Sequence, residues 1–289
     1  MNLITEGYIP FDKSWMIRLG VIDLLTGHDD ALNFLDDHYK DLGGDLRALY
    51  GASVNWRTET DPIDVGESGT LYRFLKFASY KMGHNRTFVK HGTLEHRNLG
   101  DTPETLNSTF EQLAACPTSQ WASAYMLFDF AVLNSHTPGY DMSIAKPKLR
   151  LTREAIEHWE RARLNDKPCA ARYDETIHAQ ALAYLRWLKR SSMDFVPLQA
   201  EDYCFARAFG VMSAKDGKRW KNLKDHESDR VPEMGQQLRQ NEITSKDHRV
   251  VQAIAMLKRD GVKVAYPDSV NKSWPQFWKF YRDAPELAA

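Results

Sequence analysis

The 289-residue sequence combines 43% hydrophobic with 27% charged residues, enough to bury the core of one large or two smaller globular domains. Its 38 Lys and Arg against 39 Asp and Glu give a net charge of -1, so no overall basic field predicts binding to nucleic acid or an anionic membrane. Cys116, Cys169 and Cys204 lack metal-ligand spacing, which indicates a reducing compartment without disulfides or zinc. With no signal-peptide pattern and no run approaching 18 apolar residues, we expect a cytoplasmic protein.

The first segment with the chemistry of an anion site lies near the beginning of the chain. GYIPF at 7–11 predicts a short strand, and WMIRLGVIDLLTG predicts an amphipathic helix that Asp12 or Ser14 can cap. Free backbone N–H groups at this helix start would lie next to Lys13, with Arg18 one turn further in. A lysine beside a helix start is also an ordinary surface feature.

A glycine-containing turn precedes the next apolar-periodic helix. The sequence DVGESGT leads into LYRFLKFASYKM, and Gly83 is expected to end that helix. Gly69 allows close approach of a ligand to the backbone, and Ser68 or Thr70 can cap the helix or donate a hydroxyl. Arg73 would then lie one turn into the helix.

Two further segments place polar groups before helices. The segment Thr87–Val89 predicts a strand, and the loop after it ends at Arg97. Thr118, Ser119 and Gln120 precede the mostly apolar segment WASAYMLFDFAVL. Hydroxyls and unpaired N–H groups at a helix start suit a phosphate, although they are also ordinary N-caps.

A carboxylate pair opens a helix in the last third of the chain. Glu201 and Asp202 precede YCFARAFGVMS. A carboxylate at such a position is most often a cap.

Three short runs near the end, KDHESDR, KDHR and NKSWP, supply cations, and the first two place them beside carboxylates and a histidine. Arg230, Arg249 and Lys272 could grip phosphate and carboxylate together. Glu227 and His248 could move protons. The alternative is a solvated helix start with internal ion pairs and a capped turn.

HESDRVPEMGQQL, KDHRVVQAIAML and NKSWPQFW resemble the last third of the 5-enolpyruvylshikimate-3-phosphate (EPSP) synthases, whose pattern is KE(S/T)DR, then DHR, then K(S/T)(F/W)P. DKSWMIR and GESGTLYR resemble the family's GSKSxSxR and GNAGTxxR, so the resemblance covers nearly the whole chain. The sequence departs from the family mainly on the acceptor side, at Glu67, Ala145, Lys148 and His226.

The resemblance implies an α/β (α+β) fold of two globules built from βαβαββ-type repeats, an inverse α/β barrel, with part of one repeat missing. Residues 13–190 would form the first globule, and 1–12 with 191–289 the second, with the active site in the cleft between them. It also implies a monomer that acts on small molecules and needs no metal or organic cofactor.

The implied activity is transfer of the enolpyruvyl (carboxyvinyl) group of phosphoenolpyruvate to a hydroxyl of shikimate-3-phosphate or a related acceptor, a step of the shikimate pathway. A non-catalytic relative that binds phosphoenolpyruvate, or a cleft for another phosphorylated ligand such as a nucleotide, remain as alternatives. Residues of the implied site fall into three groups. The catalytic group is Lys13, Asp202, Glu227 and His248; the phosphoenolpyruvate group is Lys13, Gly69, Arg73, Arg97, Arg230, Arg249 and Lys272; the acceptor group is Ser14, Arg18, Thr118, Ser119, Gln120, Asn222 and His226. The family has an aspartate that carries a proton between the substrates, and the resemblance assigns this role to Asp202, with Glu201 as the alternative.

Overall fold

The computed structural model describes residues 2–84, 86–116, 120–133, 143, 149–224, 226–259 and 261–289. It is 63% helical and only 4% strand. The α-helices are Lys13–Thr26 (α1), Asp30–Asp37 (α2), Gly44–Arg57 (α3), Gly69–Lys81 (α4), Pro103–Asn107 (α5), Phe110–Ala115 (α6), Gln120–Phe128 (α7), Arg150–Leu164 (α8), Glu175–Arg190 (α9), Tyr203–Ala208 (α10), Ala214–Gly217 (α11), Arg230–Gln237 (α12), His248–Lys258 (α13) and Phe277–Ala288 (α14).

The prediction of an α/β fold of βαβαββ repeats is wrong. In the described ranges the strands are Ile63–Asp64 (β1), Phe88–Val89 (β2), Glu242–Ile243 (β3) and Lys263–Val264 (β4). They form two separate two-stranded parallel sheets, β1 with β2 and β3 with β4. The predicted strand GYIPF is also absent: Gly7 ends a turn, residues 8–10 are irregular, and Phe11 forms only an isolated bridge. Apolar residues that a repeat fold would place in long strands lie instead in buried helices.

The chain divides into two compact units. We call Phe11–Arg172 the N-terminal unit and Met1–Pro10 with Tyr173–Ala289 the C-terminal unit. The chain passes between them after Pro10 and after Arg172. The predicted bounds of 13–190 and of 1–12 with 191–289 stay a prediction.

The core of the N-terminal unit surrounds α1. Every residue from Trp15 to Leu24 is buried, which explains why this helix is apolar on all sides rather than on one face. α1 packs against α3 and α8, and α4 packs against α7. Side chains at the start of α1 and of α4 are therefore held by a rigid helical core.

The core of the C-terminal unit has its own pairs of helices. α10 packs against α13, and α9 packs against α14. Trp274, Phe277 and Phe280 are fully buried and in ring contact, with Trp274 stacked on Phe280 at 5.1 Å between centroids. These contacts fix the KSWP segment against α14. No helix in the ranges described is long and apolar enough to cross a membrane.

Candidate functional site

Two of the basic runs lie at the starts of helices in the C-terminal unit. Asp229 caps α12 by accepting a hydrogen bond from the Val231 N–H (3.3 Å). Asp247 caps α13 through the Arg249 N–H (3.0 Å). Each motif thus uses one aspartate as an N-cap, which places the following cation in the first turn of its helix.

Five side chains from three segments meet in what we call the motif cluster: Glu227, Arg230, Asp247, His248 and Lys272. Arg230 donates two hydrogen bonds to the Asp247 carboxylate, Nε to Oδ2 (2.9 Å) and Nη2 to Oδ1 (3.1 Å). The Lys272 ammonium binds Glu227, and His248 Nδ1 lies 3.6 Å from Glu227 Oε1. The Arg230 side chain is 2% exposed and that of Glu227 is 5%. The cluster is therefore a buried network of opposite charges.

The charge of Arg230 is retained despite burial. Burial lowers the pKa of its guanidinium, but the attraction of Asp247 more than offsets this effect, so the pKa is raised above its ordinary value. Cys204 is fully buried near the same charges, and burial raises the pKa of its thiol to about 12. Cys204 is therefore a neutral, unreactive thiol rather than a nucleophile.

The cations of the motif cluster oppose the binding of a metal ion there. Ligand atoms of Glu227, Asp247 and His248 lie within 4.8 Å of one another, close enough for one ion. Arg230 and Lys272, however, already neutralise the two carboxylates. A divalent ion would have to displace both cations.

Arg249 and Asp202 have different surroundings. Arg249 Nη2 lies 3.7 Å from Asp174 Oδ2, and Asp174 caps α9. Asp202 accepts hydrogen bonds from Leu198 N (2.9 Å), Gln199 N (3.2 Å) and Gln180 Nε2 (2.9 Å). The Asp202 carboxylate therefore caps a turn, which is the alternative to the predicted role in proton transfer.

In the N-terminal unit the cap of α1 is Asp12. Its Oδ1 accepts hydrogen bonds from Ser14 N (3.0 Å) and Trp15 N (3.1 Å), and its Oδ2 pairs with Arg172 (2.7 Å). Lys13 Nζ lies 2.7 Å from Oδ2 of Asp45, a buried carboxylate at the start of α3. The first lysine of the predicted site is therefore already paired with an acid.

Arg18 is buried, and it donates its hydrogen bonds to neutral groups. Its Nε donates to Thr152 Oγ1 (2.9 Å) and its Nη1 to the Ser14 carbonyl (2.7 Å), while its guanidinium lies over the Phe74 ring. The Thr152 hydroxyl in turn donates a hydrogen bond to Ser123 Oγ (2.9 Å). Burial lowers the pKa of Arg18 to about 10.

Gly69, Arg73, Arg97 and Gln120 come together at the start of α4. Arg73 donates from Nε to the Leu99 carbonyl (3.2 Å) and bonds the Gln120 side-chain oxygen. Gln120 Nε2 in turn donates to Thr70 (2.9 Å). A Cβ at position 69 would lie at ordinary contact distance from both arginines, 3.4 Å from Arg73 and 3.6 Å from Arg97, so both guanidinium groups lie beside the backbone at Gly69. Ser68, one of the two candidate caps, is the cap of this helix.

Glu67, where the family has asparagine, has a local structural partner. Its Oε2 accepts hydrogen bonds from Thr93 N (3.1 Å) and Thr93 Oγ1 (2.9 Å), at the short helix Gly92–His96. Gly92 lies against it at φ 53°, where an added Cβ would be 2.6 Å from the Glu67 carboxylate. The Glu67 carboxylate thus holds the short helix that contains Thr93.

Some sequence predictions cannot be placed against these contacts. Thr118, Ser119, Ala145 and Lys148 lie outside the described residues. Asn222 lies partly buried in the short helix Lys221–Lys224, and partly buried His226 directly precedes Glu227.

The sequence reasoning missed several carboxylates and hydroxyls that hold the predicted cations. Asp247 could have been found, because it immediately precedes His248 and Arg249 in KDHR. Asp45, Asp174 and Thr152 carry no local signal, since each lies far along the chain from its partner.

No protein family, curated protein or solved structure matches the chain.

Proposed function

We propose that the chain is an enolpyruvyl transferase that binds phosphoenolpyruvate, transfers its enolpyruvyl group to a hydroxyl of shikimate-3-phosphate or a related acceptor, and releases phosphate. The observation that carries the proposal is the motif cluster, in which Lys272 of the NKSWP run meets Glu227 and Arg230 of the KDHESDR run. The proposal depends on these side chains and not on an α/β repeat fold.

The cluster offers the groups that this chemistry needs. An acid protonates the methylene carbon of the donor, which makes C2 electrophilic. The acceptor hydroxyl loses its proton to a base and its oxygen bonds to C2. The adduct then loses a methyl proton and expels phosphate, which restores the double bond. Arg230 and Lys272 would hold the donor anion, and Glu227 with His248 would move the protons.

A second candidate is a non-catalytic protein that binds phosphoenolpyruvate or another phosphorylated anion. It is favoured by the pairing of each predicted cation of the C-terminal unit with a carboxylate: Arg230 with Asp247, Arg249 with Asp174 and Lys272 with Glu227. Cations compensated in this way have less charge left to stabilise a departing phosphate.

Release of phosphate from phosphoenolpyruvate, measured with and without shikimate-3-phosphate and a panel of hydroxyl compounds, separates the two. Release that requires an acceptor supports the transferase. Phosphoenolpyruvate binding by calorimetry without release supports the second candidate, and absence of both contradicts both.

The matched variants are Lys272→Met and Lys246→Met. Lys272 is in the motif cluster, whereas Lys246 is exposed in the KDHR run and lies over the Tyr266 ring. We expect Lys272→Met to lower kcat by about 100-fold to 1,000-fold, as for loss of one charge-stabilising donor elsewhere, and Lys246→Met to retain activity. Lys13→Ala is also expected to abolish measurable turnover. Equal activity of Lys272→Met and Lys246→Met would contradict the assignment.

A further inference from the structure

The C-terminal unit contains a cavity of about 510 Å³ where three of its helices end. α9 ends at Arg190, α13 at Lys258 and α14 at Ala288. The cavity is lined by Leu188, Lys189, Arg259, Pro285, Ala288 and Ala289. Its volume lies within the range of small-molecule sites, roughly 300 to 1,000 Å³. None of the lining residues belongs to the motif cluster or to the site that the resemblance implies, so the cavity is a separate candidate.

The two cations of the cavity, Lys189 and Arg259, form no ion pair with an aspartate or glutamate among the described residues. Arg259 Nη1 donates a hydrogen bond to Tyr184 OH (3.1 Å), and its Cζ lies 5.6 Å from the centroid of the Tyr281 ring. Lys189 Nζ donates to the backbone oxygen of Ala289 (3.0 Å). A guanidinium carries five N–H donors and an ammonium three, so these contacts leave donors of both side chains for an anion.

Arg259 has a backbone conformation that its residue type rarely adopts. It follows α13 with φ 45° and ψ −120°. Ser191, which follows α9, has instead the ordinary left-handed conformation of helix ends, with φ 53° and ψ 21°. Glycine adopts a positive φ at no steric cost, but an arginine at φ 45° and ψ −120° is strained. Because strained residues are concentrated at ligand-binding and active sites, this conformation is a second observation that points to a ligand.

The charges and the apolar lining together select the class of ligand. Lys189 and Arg259 favour an anion, but the last carbonyls of the three helices carry partial negative charge, which opposes a second negative charge on the ligand. A carboxylate carries one negative charge near neutral pH, whereas a phosphate monoester carries almost two. The apolar side chains in the lining, those of Leu188, Pro285 and Ala288, suit an apolar ligand body.

We propose that this cavity binds a small monocarboxylate with an apolar body. Arg259 and Lys189 donate hydrogen bonds to the carboxylate, and the apolar body lies against Leu188, Pro285 and Ala288. The binding site goes beyond the proposed transferase activity, because none of its residues takes part in that reaction.

The first test measures binding of hexanoate by calorimetry near neutral pH in a buffer free of carboxylates. Three matched compounds separate the parts of the proposal: hexanamide keeps the apolar body without the charge, acetate keeps the charge without the body, and hexyl phosphate carries a second charge. We expect the wild type to bind hexanoate about tenfold more tightly than each of the three, since each loses one of the two interactions or adds repulsion.

The second test uses variants of the two cations. Arg259→Met and Lys189→Met should each bind hexanoate about tenfold more weakly than the wild type, because each removes a charged hydrogen-bond donor. The matched control is Arg190→Met, since Arg190 is exposed in the same last turn of α9 but does not line the cavity. Arg190→Met should keep the hexanoate affinity of the wild type.

Arg259→Gly tests the strain separately from the charge. It should lose hexanoate affinity as Arg259→Met does, but its melting temperature in ligand-free buffer should lie above that of Arg259→Met, because glycine accepts the backbone conformation. Four results would each overturn the proposal: no hexanoate binding by the wild type, equal binding of hexanoate and hexanamide, an unchanged hexanoate affinity in Arg259→Met, or a loss as large in Arg190→Met. Arg259→Gly melting below Arg259→Met would also contradict it, since the arginine would then not be strained.

Discussion

The two units bury cations in different ways. In the C-terminal unit, Arg230 lies against the Asp247 carboxylate, and its side chain is 2% exposed. In the N-terminal unit, Arg18 is also buried, but it donates hydrogen bonds to a hydroxyl and a carbonyl, and its guanidinium lies over the Phe74 ring. The same residue type thus has a charged partner in one unit and neutral partners in the other.

This difference changes what the loss of one partner would do. A buried ion pair adds little net stability, but removal of one member leaves the other charged and without compensation. A buried cation with neutral partners leaves only unsatisfied polar groups when it is removed. The pKa values differ accordingly, because burial lowers the pKa of Arg18 to about 10, whereas Asp247 offsets the effect of burial and raises the pKa of Arg230 above its ordinary value.

The largest expected effect comes from Asp247→Ala. Removal of this carboxylate leaves Arg230 buried without its two strongest hydrogen bonds and removes the cap of α13. We expect a loss of about 3 to 5 kcal/mol in the free energy of unfolding, measured with urea. Replacement of both partners, Arg230→Met with Asp247→Leu, should recover most of that loss. A double variant as unstable as the single one would show that the ion pair is not the cause.

Arg18→Met should have a smaller effect, about 1 to 3 kcal/mol, because only Thr152 and the Ser14 carbonyl lose a partner. Arg150→Met is the control, since the Arg150 side chain is 75% exposed and its replacement should change stability by less than about 0.5 kcal/mol. Urea unfolding of both variants gives the comparison. A loss in Arg18→Met as large as in Asp247→Ala would remove the distinction between the units.

The buried thiols provide a test in which the units should agree. Burial raises the pKa of Cys204 in the C-terminal unit and of Cys169 in the N-terminal unit from an ordinary value of 9.0 to about 12. A thiol pKa that is higher in the folded than in the unfolded chain contributes to stability. This contribution is fully present below pH 9 and is lost as the pH rises toward 12. We expect stability to fall above pH 9, and less steeply in Cys204→Ala or Cys169→Ala.

Thiol labelling at pH 8 checks the same point in the wild type. Partly exposed Cys116 should react in the native protein, and Cys169 and Cys204 only after unfolding. Rapid native labelling of either buried thiol would contradict the assigned environment of that unit.

The smallest expected effect concerns His158 in the N-terminal unit. Burial lowers the pKa of its imidazole, and its Nε2 accepts a hydrogen bond from Ala170 N (3.1 Å), which requires the neutral ring. A lowered pKa stabilises the fold above the ordinary value of 6.5, and this contribution is lost as the pH falls through the lower value. His158→Gln, which keeps an acceptor, should flatten the decline in melting temperature below pH 6.5. An unchanged decline would assign it to other groups.

Local signals in the sequence predicted helices better than sheets. The start of α1 at its aspartate cap and the helix ended by Gly83 follow from capping and periodicity, which depend on neighbouring residues. Strand pairing depends on distant segments, as between β1 and β2, so a resemblance at the motifs could not fix it. The expected repeats were wrong for that reason.

The candidate site divides in the same way. Charged runs at helix starts indicated Arg230 and Lys272, because cations and carboxylates cluster within short stretches of sequence. The carboxylates that balance Lys13 and Arg249 come from Asp45 and Asp174, which are brought near only by the packing of α3 and α9. No pattern within a single run contains that information.

The contact between Glu67 and Gly92 couples the substitutions that these two positions accept. A Cβ at 92 would lie 2.6 Å from the Glu67 carboxylate, so a side chain there would move this carboxylate away from its hydrogen bonds with Thr93. In a relative with a smaller side chain at position 67, position 92 would have space for a small residue that tolerates a positive φ, such as asparagine. We therefore expect these two positions to covary among relatives, with glycine at 92 retained wherever glutamate stands at 67.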